Sequence, residues 1–175
     1  MINETKLYDQ LRSMAGKLSQ TQVDSVKAIL NQCEYKAITD LRQIAYVLAT
    51  AYHESRLKPV EEIGRGSGKP YGKLINGHAY YGRGLVQLTW IDNYKTFGRL
   101  LKIDLVNRPE LALNIDYAAE IAVLGMRDGL FTGVGLKKYF NDKITDPLNA
   151  RKIINGLDCA ELIKGYYDHI LNSLT

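Results

Sequence analysis

The chain has 175 residues, of which 46% are apolar and 24% are charged, and its formal net charge is +4. These values are ordinary for a globular protein and exclude a disordered or fibrous chain. The longest apolar stretches, such as residues 44–51, are too short to cross a bilayer, so we expect no membrane insertion. The first residues have no apolar run behind a basic start, which predicts no cleaved signal peptide. We expect one monomeric domain over residues 1–175.

The charged and sulfur-containing residues exclude several function classes. The densest basic pairs, Lys137–Lys138 and Arg151–Lys152, predict a solvated surface, and no nucleic-acid reading element accompanies them. A scattered positive charge does favour weak attraction to anionic bacterial envelopes. Cys33 and Cys159 lack metal-ligand spacing, so we expect no zinc and no other cofactor. Two such thiols are more typical of small buried side chains than of a disulfide.

Helical periodicity dominates the first third of the chain. It predicts a helix over residues 6–15 that stops at Gly16. A second helix opens at Ser19, where Gln22 three residues later completes a capping-box pattern. A third begins near residues 39–40 and ends around Ser55, before Pro59. Residues 59–84 then contain too many glycines for a long regular helix, which predicts an irregular or short-hairpin insert. Such inserts are usually functional.

The remaining residues again predict helices, so the fold class is mainly α. Helical stretches are expected near residues 90–101, 116–128, 136–140 and 147–154. Asp158 is predicted to begin the last helix, with Glu161 as the partner in a capping box. The pattern of that helix predicts that it buries Leu162, Ile163, one of Tyr166 and Tyr167, and Ile170.

Glu54 lies at the C-terminal end of the third predicted helix. At 100° per residue it shares a face with Val47 and Thr50, away from the apolar stripe of residues 41, 48 and 52. A carboxylic acid that is partly desolvated can donate a proton near neutral pH, although most glutamates at helix ends are simply solvated. A zinc-protease motif (HExxH) is excluded, because position 57 is Leu57.

Two further carboxylates, Glu61 and Glu62, follow within ten residues of Glu54. Glycosidases need a pair of carboxyl groups across the scissile bond, and a wider separation leaves space for an attacking water. A pair of solvated charges on a loop is the alternative interpretation. Residues 64–69 are not a phosphate-binding loop, because the spacing differs and Pro70 replaces the required hydroxyl residue.

Residues 79–94 carry the strongest signal in the chain. Two aromatic residues and a glycine turn precede Gln87, Thr89, Trp90 and Asn93. Sugars present flat apolar faces to aromatic rings and hydroxyl groups to amides, so this combination is typical of a glycan site. Composition alone is equally compatible with core packing.

These segments together resemble the family 19 glycoside hydrolases, the chitinase and endolysin family. The resemblance rests on residues 51–55 (AYHES), 80–90 (YYGRGLVQLTW), 93–94 (NY) and 153–156 (IING), which occur in the order of the family. It covers a core of about residues 44–160. It implies a two-lobed, mainly helical fold related to lysozyme, and inverting hydrolysis of β-1,4 bonds next to an N-acetylated amino sugar.

The resemblance also implies roles for individual residues. Glu54 matches the general acid of the family, and Glu62 matches the general base, with Glu61 as the alternative. Thr89 resembles the hydroxyl residue that helps to hold the attacking water. The positions that match sugar-binding or motif-ordering residues are Tyr81, Arg83, Gln87, Asn93 and Asn155, to which the aromatic character of Trp90 adds a stacking surface.

The short form resembles the lysis enzymes of phages and prophages, which favours peptidoglycan over chitin as the substrate. Such enzymes accumulate in the host cytoplasm and reach the periplasmic wall after the inner membrane is permeabilised. Chitinase activity, a lytic transglycosylase and a non-catalytic wall-binding module are the alternatives. The sequence leaves open muramidase or glucosaminidase specificity and the host species.

Overall fold

A computed structural model describes residues 2–175. Within this range the secondary structure consists of six α-helices and two very short strands, which confirms a mainly α fold. The helices are α1 (Glu4–Ala15), α2 (Gln20–Tyr35), α3 (Leu41–Ser55), α4 (Ile91–Leu101), α5 (Ile115–Asp128) and α6 (Ala160–Ser173), and the strands are β1 (Val60–Glu61) and β2 (Arg83–Gly84). Over residues 2–175, no helix combines the length and the apolar character that crossing a bilayer requires.

The ends of the first three helices follow the local signals in the sequence. Helix α1 ends at Gly16, whose φ of 77° few other residues would adopt. Helix α2 begins with the predicted capping box, because the Ser19 and Gln22 side chains each accept a backbone N–H of the other residue. Asp40 caps α3, since its side chain accepts the N–H of Arg42.

Helix α3 is the central element of the fold. It packs against α6, α2 and α5, and all its residues from 43 to 52 are buried. The predicted one-sided apolar stripe is therefore wrong in detail, because Val47 and Thr50 are buried as well. A helix that is covered all round gives little freedom to its last turn. The end of α3, where Glu54 lies, is consequently a rigid support.

The glycine-rich segment forms the predicted short hairpin-like insert between α3 and α4. Strands β1 and β2 pair antiparallel, with Val60 opposite Gly84. Single-turn 3-10 helices occur here at Pro70–Gly72 and later in the chain at Pro109–Leu113, Leu136–Lys138 and Asn149–Ile153. The β1–β2 pairing folds the segment back along the chain, which brings Glu62 beside Gly82.

Three predictions near the last helix are wrong. Asp158 does not cap α6, because Cys159 is the N-cap in a left-handed conformation and no side chain caps this end. Instead, the carbonyl of Asp158 accepts a hydrogen bond from the side chain of Arg151. Leu162 is 49% exposed, whereas Ile163, Tyr167 and Ile170 are buried as predicted. Cys159 is an exposed thiol, and only Cys33 is buried.

Candidate active site

A cleft of about 420 Å³ lies where the end of α3 meets the glycine-rich segment. Both acidic and neutral polar side chains face it, together with aromatic rings. Its lining consists of Glu54, Glu62, Tyr71, Gly82, Val86, Gln87, Thr89, Trp90, Asn93, Phe131, Ile154 and Asn155. Seven of the nine residues that the sequence singled out as site residues thus meet in one cavity, although they are spread over about a hundred positions of the chain.

Glu54 is held by an ion pair with a residue that the sequence analysis missed. Its Oε1 accepts a hydrogen bond of 2.5 Å from Nη1 of Arg151, and its side chain is 17% exposed. Arg151 is only 4% exposed, and its Nε donates to the carbonyl of Asp158 at 2.9 Å. The Glu54 carboxylate therefore has one face on a fixed guanidinium and another toward the cleft.

The prediction of a solvated Arg151 is therefore wrong, whereas the neighbouring Lys152 is exposed. Arg151 lies in the 3-10 helix Asn149–Ile153, between the buried residues Ala150 and Ile153. The sequence pattern that could have revealed the burial of Arg151 is a basic residue between apolar positions. Because a charged side chain is rarely buried without a partner of opposite charge, this pattern indicates a hidden carboxylate.

Glu54 lies in a helix, whereas Glu62 reaches the cleft from irregular structure, the turn that follows β1. Its backbone N–H donates to the carbonyl of Gly82 at 2.7 Å, and its Oε2 accepts the N–H of Gly82 at 3.1 Å. Its Oε1 accepts the hydroxyl of Tyr71 at 2.9 Å. Gly82 packs closely on Gln87, because a Cβ at position 82 would lie 2.8 Å from Oε1 of Gln87 and would require that side chain to shift. Two neutral donors thus hold the carboxylate of Glu62.

The adjacent Glu61 does not line the cleft. Its Oε1 accepts the Tyr81 hydroxyl at 2.7 Å, and Arg65 lies 2.9 Å from its Oε2. The hydrogen bond from Tyr81, followed by attraction to Arg65 and Arg83, holds the pKa of Glu61 below its ordinary value against the effect of burial. Successive side chains of a strand point to opposite faces, which explains why Glu61 and Glu62 diverge.

Tyr81, which was predicted to line a sugar subsite, and Arg83, which was predicted to order the substrate-binding motif, are not among the residues that line the cleft. Arg83 is 6% exposed, and its guanidinium stacks 3.7 Å from the centre of the Tyr81 ring. It also donates to the carbonyl of Ala79 and to the hydroxyl of Tyr94, both at 3.0 Å. These two residues are internal supports of the segment that carries the cleft residues. This geometry corrects the predicted sugar contact of Tyr81, whereas it agrees with the prediction that Arg83 orders the motif.

Neutral polar groups line the part of the cleft formed by residues 87–93. Gln87 has a φ of 57°, and its amide donates to the carbonyl of Val60 at 3.0 Å, which ties this turn to β1. The Thr89 hydroxyl donates to the carbonyl of Gln87, and the Asn93 amide donates to the carbonyl of Thr89, both at 2.8 Å. These internal hydrogen bonds orient the three side chains in the absence of a ligand.

Two aromatic side chains form an edge of the cleft. Trp90 is 50% exposed, and its ring meets that of Tyr71 edge to face at 5.1 Å between centroids. Asn155 lies in another part of the lining with Phe131 and Ile154, and its Oδ1 accepts the N–H of Gly156 at 2.9 Å. An exposed indole beside fixed amide groups is suited to a pyranose ring, which presents an apolar face and equatorial hydroxyl groups.

The described residues do not contain a cluster of ligands for a metal ion. Between residues 2 and 175, no group of three or more His, Cys, Asp or Glu side chains is arranged to hold one.

Comparison with known proteins finds endochitinases among the relatives of this chain. No protein-family model matches the chain. An endochitinase of Arabidopsis thaliana is 29% identical over 154 residues, and a basic endochitinase of Brassica napus is 27% identical over 154 residues. These alignments cover 83% of this chain but 54% of each relative, so the chain spans about half the length of these proteins.

Solved structures show which fold the chain has. Chitinase C from Streptomyces griseus is similar with a TM-score of 0.59 and 22% identity, over 95% of this chain and 76% of that protein. A bacterial family 19 chitinase is similar with a TM-score of 0.56 and 20% identity, over 94% of this chain and 92% of that protein. The chain therefore has the lysozyme-like fold of family 19 chitinases.

Proposed function

We propose that this protein is a glycoside hydrolase that cleaves β-1,4 bonds next to N-acetylated amino sugars with inversion. The observation that carries the proposal is the pair of carboxylates, Glu54 and Glu62, that reach one cleft from different structural elements. An inverting glycosidase needs such a pair, with space between the groups for a water molecule. The aromatic and amide lining of the same cleft supports a sugar as the ligand.

In the proposed reaction, Glu54 is the general acid and Glu62 is the general base. Glu54 donates its proton to the glycosidic oxygen while the bond between C1 and that oxygen breaks. Glu62 accepts a proton from a water molecule whose oxygen forms the new bond to C1 from the other face of the ring. The products are a leaving sugar with a new hydroxyl group and a reducing end of inverted configuration. Exchange with solvent then returns each carboxyl group to its starting form.

Thr89 is proposed to help hold the attacking water. Because its hydroxyl hydrogen is donated to the carbonyl of Gln87, the lone pairs of its oxygen remain available as acceptors. A water molecule that donates one hydrogen to Thr89 and the other to Glu62 would have a lone pair directed away from both. This arrangement supports the role of Thr89 without requiring it to ionise.

We propose bacterial peptidoglycan as the substrate, with cell lysis as the biological result. The net charge of +4 supports this choice, because it attracts the protein to an anionic wall. Chitin is the second candidate, favoured by the two relatives that are named endochitinases. In the proposed lysis, the protein acts from the host cytoplasm on the periplasmic wall once the inner membrane is permeabilised.

Product analysis tests the reaction and the substrate together. Purified peptidoglycan and a chitin oligomer are digested in parallel, and the products are analysed by mass spectrometry and by proton NMR of the anomeric centre. We expect muropeptides with reducing ends that contain one added water and have the α configuration when first formed. Anhydro-muramic ends would instead indicate a lytic transglycosylase, and cleavage of chitin alone would reassign the substrate.

The alternative of a non-catalytic wall-binding module requires a separate test. Lysis of permeabilised Gram-negative cells is compared between the protein and its Glu54→Gln variant, while a pull-down with peptidoglycan measures binding. We expect the variant to bind but not to lyse. Equal lysis by both proteins would show that Glu54 is not the acid, and binding without lysis by both would support a binding module.

A further inference from the structure

Tyr71 joins the exposed aromatic edge of the cleft to the carboxylate of Glu62. The sequence analysis did not identify it, because it lies in the irregular glycine-rich segment. Its hydroxyl donates to Oε1 of Glu62 at 2.9 Å, and its ring packs edge to face on Trp90. A single side chain therefore contacts both a candidate catalytic group and a candidate sugar-stacking group.

The backbone around Tyr71 closes tightly on its ring. Tyr71 lies in the 3-10 turn Pro70–Gly72, and its carbonyl accepts the N–H of Tyr80 at 3.1 Å. Gly66 lies against its ring, where a Cβ would be 3.1 Å from two ring carbons. A Cβ on Gly72 would lie only 1.9 Å from the carbonyl oxygen of Gly66. Glycine at these two positions lets the backbone close around the phenol.

We propose that Tyr71 is a positioning residue that holds the Glu62 carboxylate in the orientation that receives the proton of the attacking water. This inference rests on the proposed hydrolytic function. Glu62 lies in a loop, and its contact with Tyr71 thereby gives its carboxylate a fixed geometry. A helix or strand would otherwise provide that geometry.

The electrostatics of the pair agree with this role. The hydrogen bond to Glu62, and secondarily burial, raise the pKa of the Tyr71 phenol above its ordinary value of 10. The phenol therefore keeps its proton, and remains a donor, over the whole range in which a glycosidase of this type would work. The second donor, the N–H of Gly82, fixes the other oxygen of Glu62.

The Tyr71→Phe variant tests the proposal, because it keeps the ring and removes the hydroxyl. We expect kcat on peptidoglycan to fall about tenfold, which corresponds to losing one hydrogen bond to a charged group, while KM changes less than about twofold. The melting temperature should stay within a few degrees of the parent protein.

Tyr80→Phe is the matched control. It removes a hydroxyl hydrogen bond of the same length, 2.9 Å to the carbonyl of Val106, from a residue that does not line the cleft. We expect its kcat and KM to equal those of the parent protein. If Tyr71→Phe leaves kcat unchanged, or raises KM while kcat is retained, the positioning role is wrong.

The Glu54→Gln and Glu62→Gln variants separate this inference from the proposed function. If both variants are inactive while Tyr71→Phe behaves like the parent protein, the inference about Tyr71 fails and the hydrolytic function stands. If both variants retain full activity, the proposed function itself fails. A loss of kcat in Tyr71→Phe with little change in KM, together with inactive Glu54→Gln and Glu62→Gln variants, supports both.

Discussion

The cleft has a helix wall, formed by the end of α3, and a loop wall, formed by the turn after β1. The two walls hold their carboxylates by different physical means. Glu54 projects from the end of α3, a helix buried on all sides, and it is fixed by an ion pair with a buried arginine. Glu62 projects from a turn beside a sheet of two-residue strands, and neutral donors hold it. One wall is rigid because of packing, and the other is ordered by individual hydrogen bonds.

This difference suits the two proposed roles. A group that protonates a leaving oxygen has to occupy a fixed place relative to the sugar, which a packed helix provides. A group that accepts a proton from water must remain an acceptor, which neutral donors allow without cancelling its charge. It also follows that changes on the helix wall should affect both stability and activity, whereas changes on the loop wall should affect activity more selectively.

The largest expected effect is that of Glu54→Gln, which keeps the shape of the side chain and removes the proton donor. We expect kcat to fall by about 10²–10⁴-fold, the range for loss of general acid catalysis. The measurement is release of reducing ends from peptidoglycan. Glu110→Gln, at a side chain that is 60% exposed and away from the cleft, is the matched control. A Glu54→Gln variant as active as this control would contradict the acid assignment.

A comparison of Glu62→Gln with Glu61→Gln tests which glutamate of the loop wall is the general base. We expect Glu62→Gln to lower kcat by about 10²–10³-fold through loss of the base. Glu61→Gln should keep kcat within about tenfold, because Glu61 contacts Tyr81 and Arg65 and not the cleft. Reducing-end assays at several pH values measure both variants. The opposite pattern would make Glu61 the base and would require residues 60–62 to rearrange on substrate binding.

Removal of Arg151 tests whether the helix wall couples stability to activity. Arg151→Met leaves the Glu54 carboxylate without its partner, which should lower the free energy of unfolding by about 3 kcal/mol. We expect kcat to fall about tenfold or more, because the carboxylate loses its fixed position. Urea unfolding and reducing-end release are the measurements.

The double variant Glu54→Gln/Arg151→Met then serves as an internal control for the ion pair. It should be less destabilised than the sum of the two single variants, because no unpartnered charge remains. Simple additivity would show that the 2.5 Å contact contributes nothing to stability. In that case the rigidity of the helix wall would have to come from apolar packing alone.

Local signals explain why the helix wall could be predicted from the sequence. The capping box at Ser19, the cap at Asp40 and the periodicity of α3 are all read within a few residues, and they place Glu54 at a helix end. The fold related to lysozyme came from the resemblance of residues 51–55 and 80–90 to a known family. The structural comparisons confirm that fold.

Contacts between distant residues explain what the sequence did not reveal. Arg151 is 97 positions from Glu54 in the sequence, so no local pattern identifies one residue as the partner of the other. Tyr71 is only nine residues from Glu62, but the chain between them is irregular and follows no periodicity. Similarly, side-chain alternation at the end of β1 explains why Glu61 and Glu62 point to opposite faces. It does not indicate which of them faces the cleft.

The smallest expected effect concerns Glu61, which supports the loop wall without facing the cleft. Its folded pKa lies below the ordinary value of 4.5, first because Tyr81 donates to it and then because Arg65 and Arg83 attract its charge. A carboxyl group of this kind stabilises the fold above its unfolded pKa, and that contribution is lost as the pH falls through the folded pKa. The melting temperature of Glu61→Gln should therefore be lower than that of the parent protein by a few degrees at neutral pH, and the difference should shrink as the pH falls below the ordinary value of 4.5. Other acidic groups with lowered pKa values, such as Asp40, titrate in both proteins and cancel in the comparison. A difference that stays constant with pH would mean that the Glu61 contacts do not depend on its charge, and the loop wall would then be ordered by its backbone pairing.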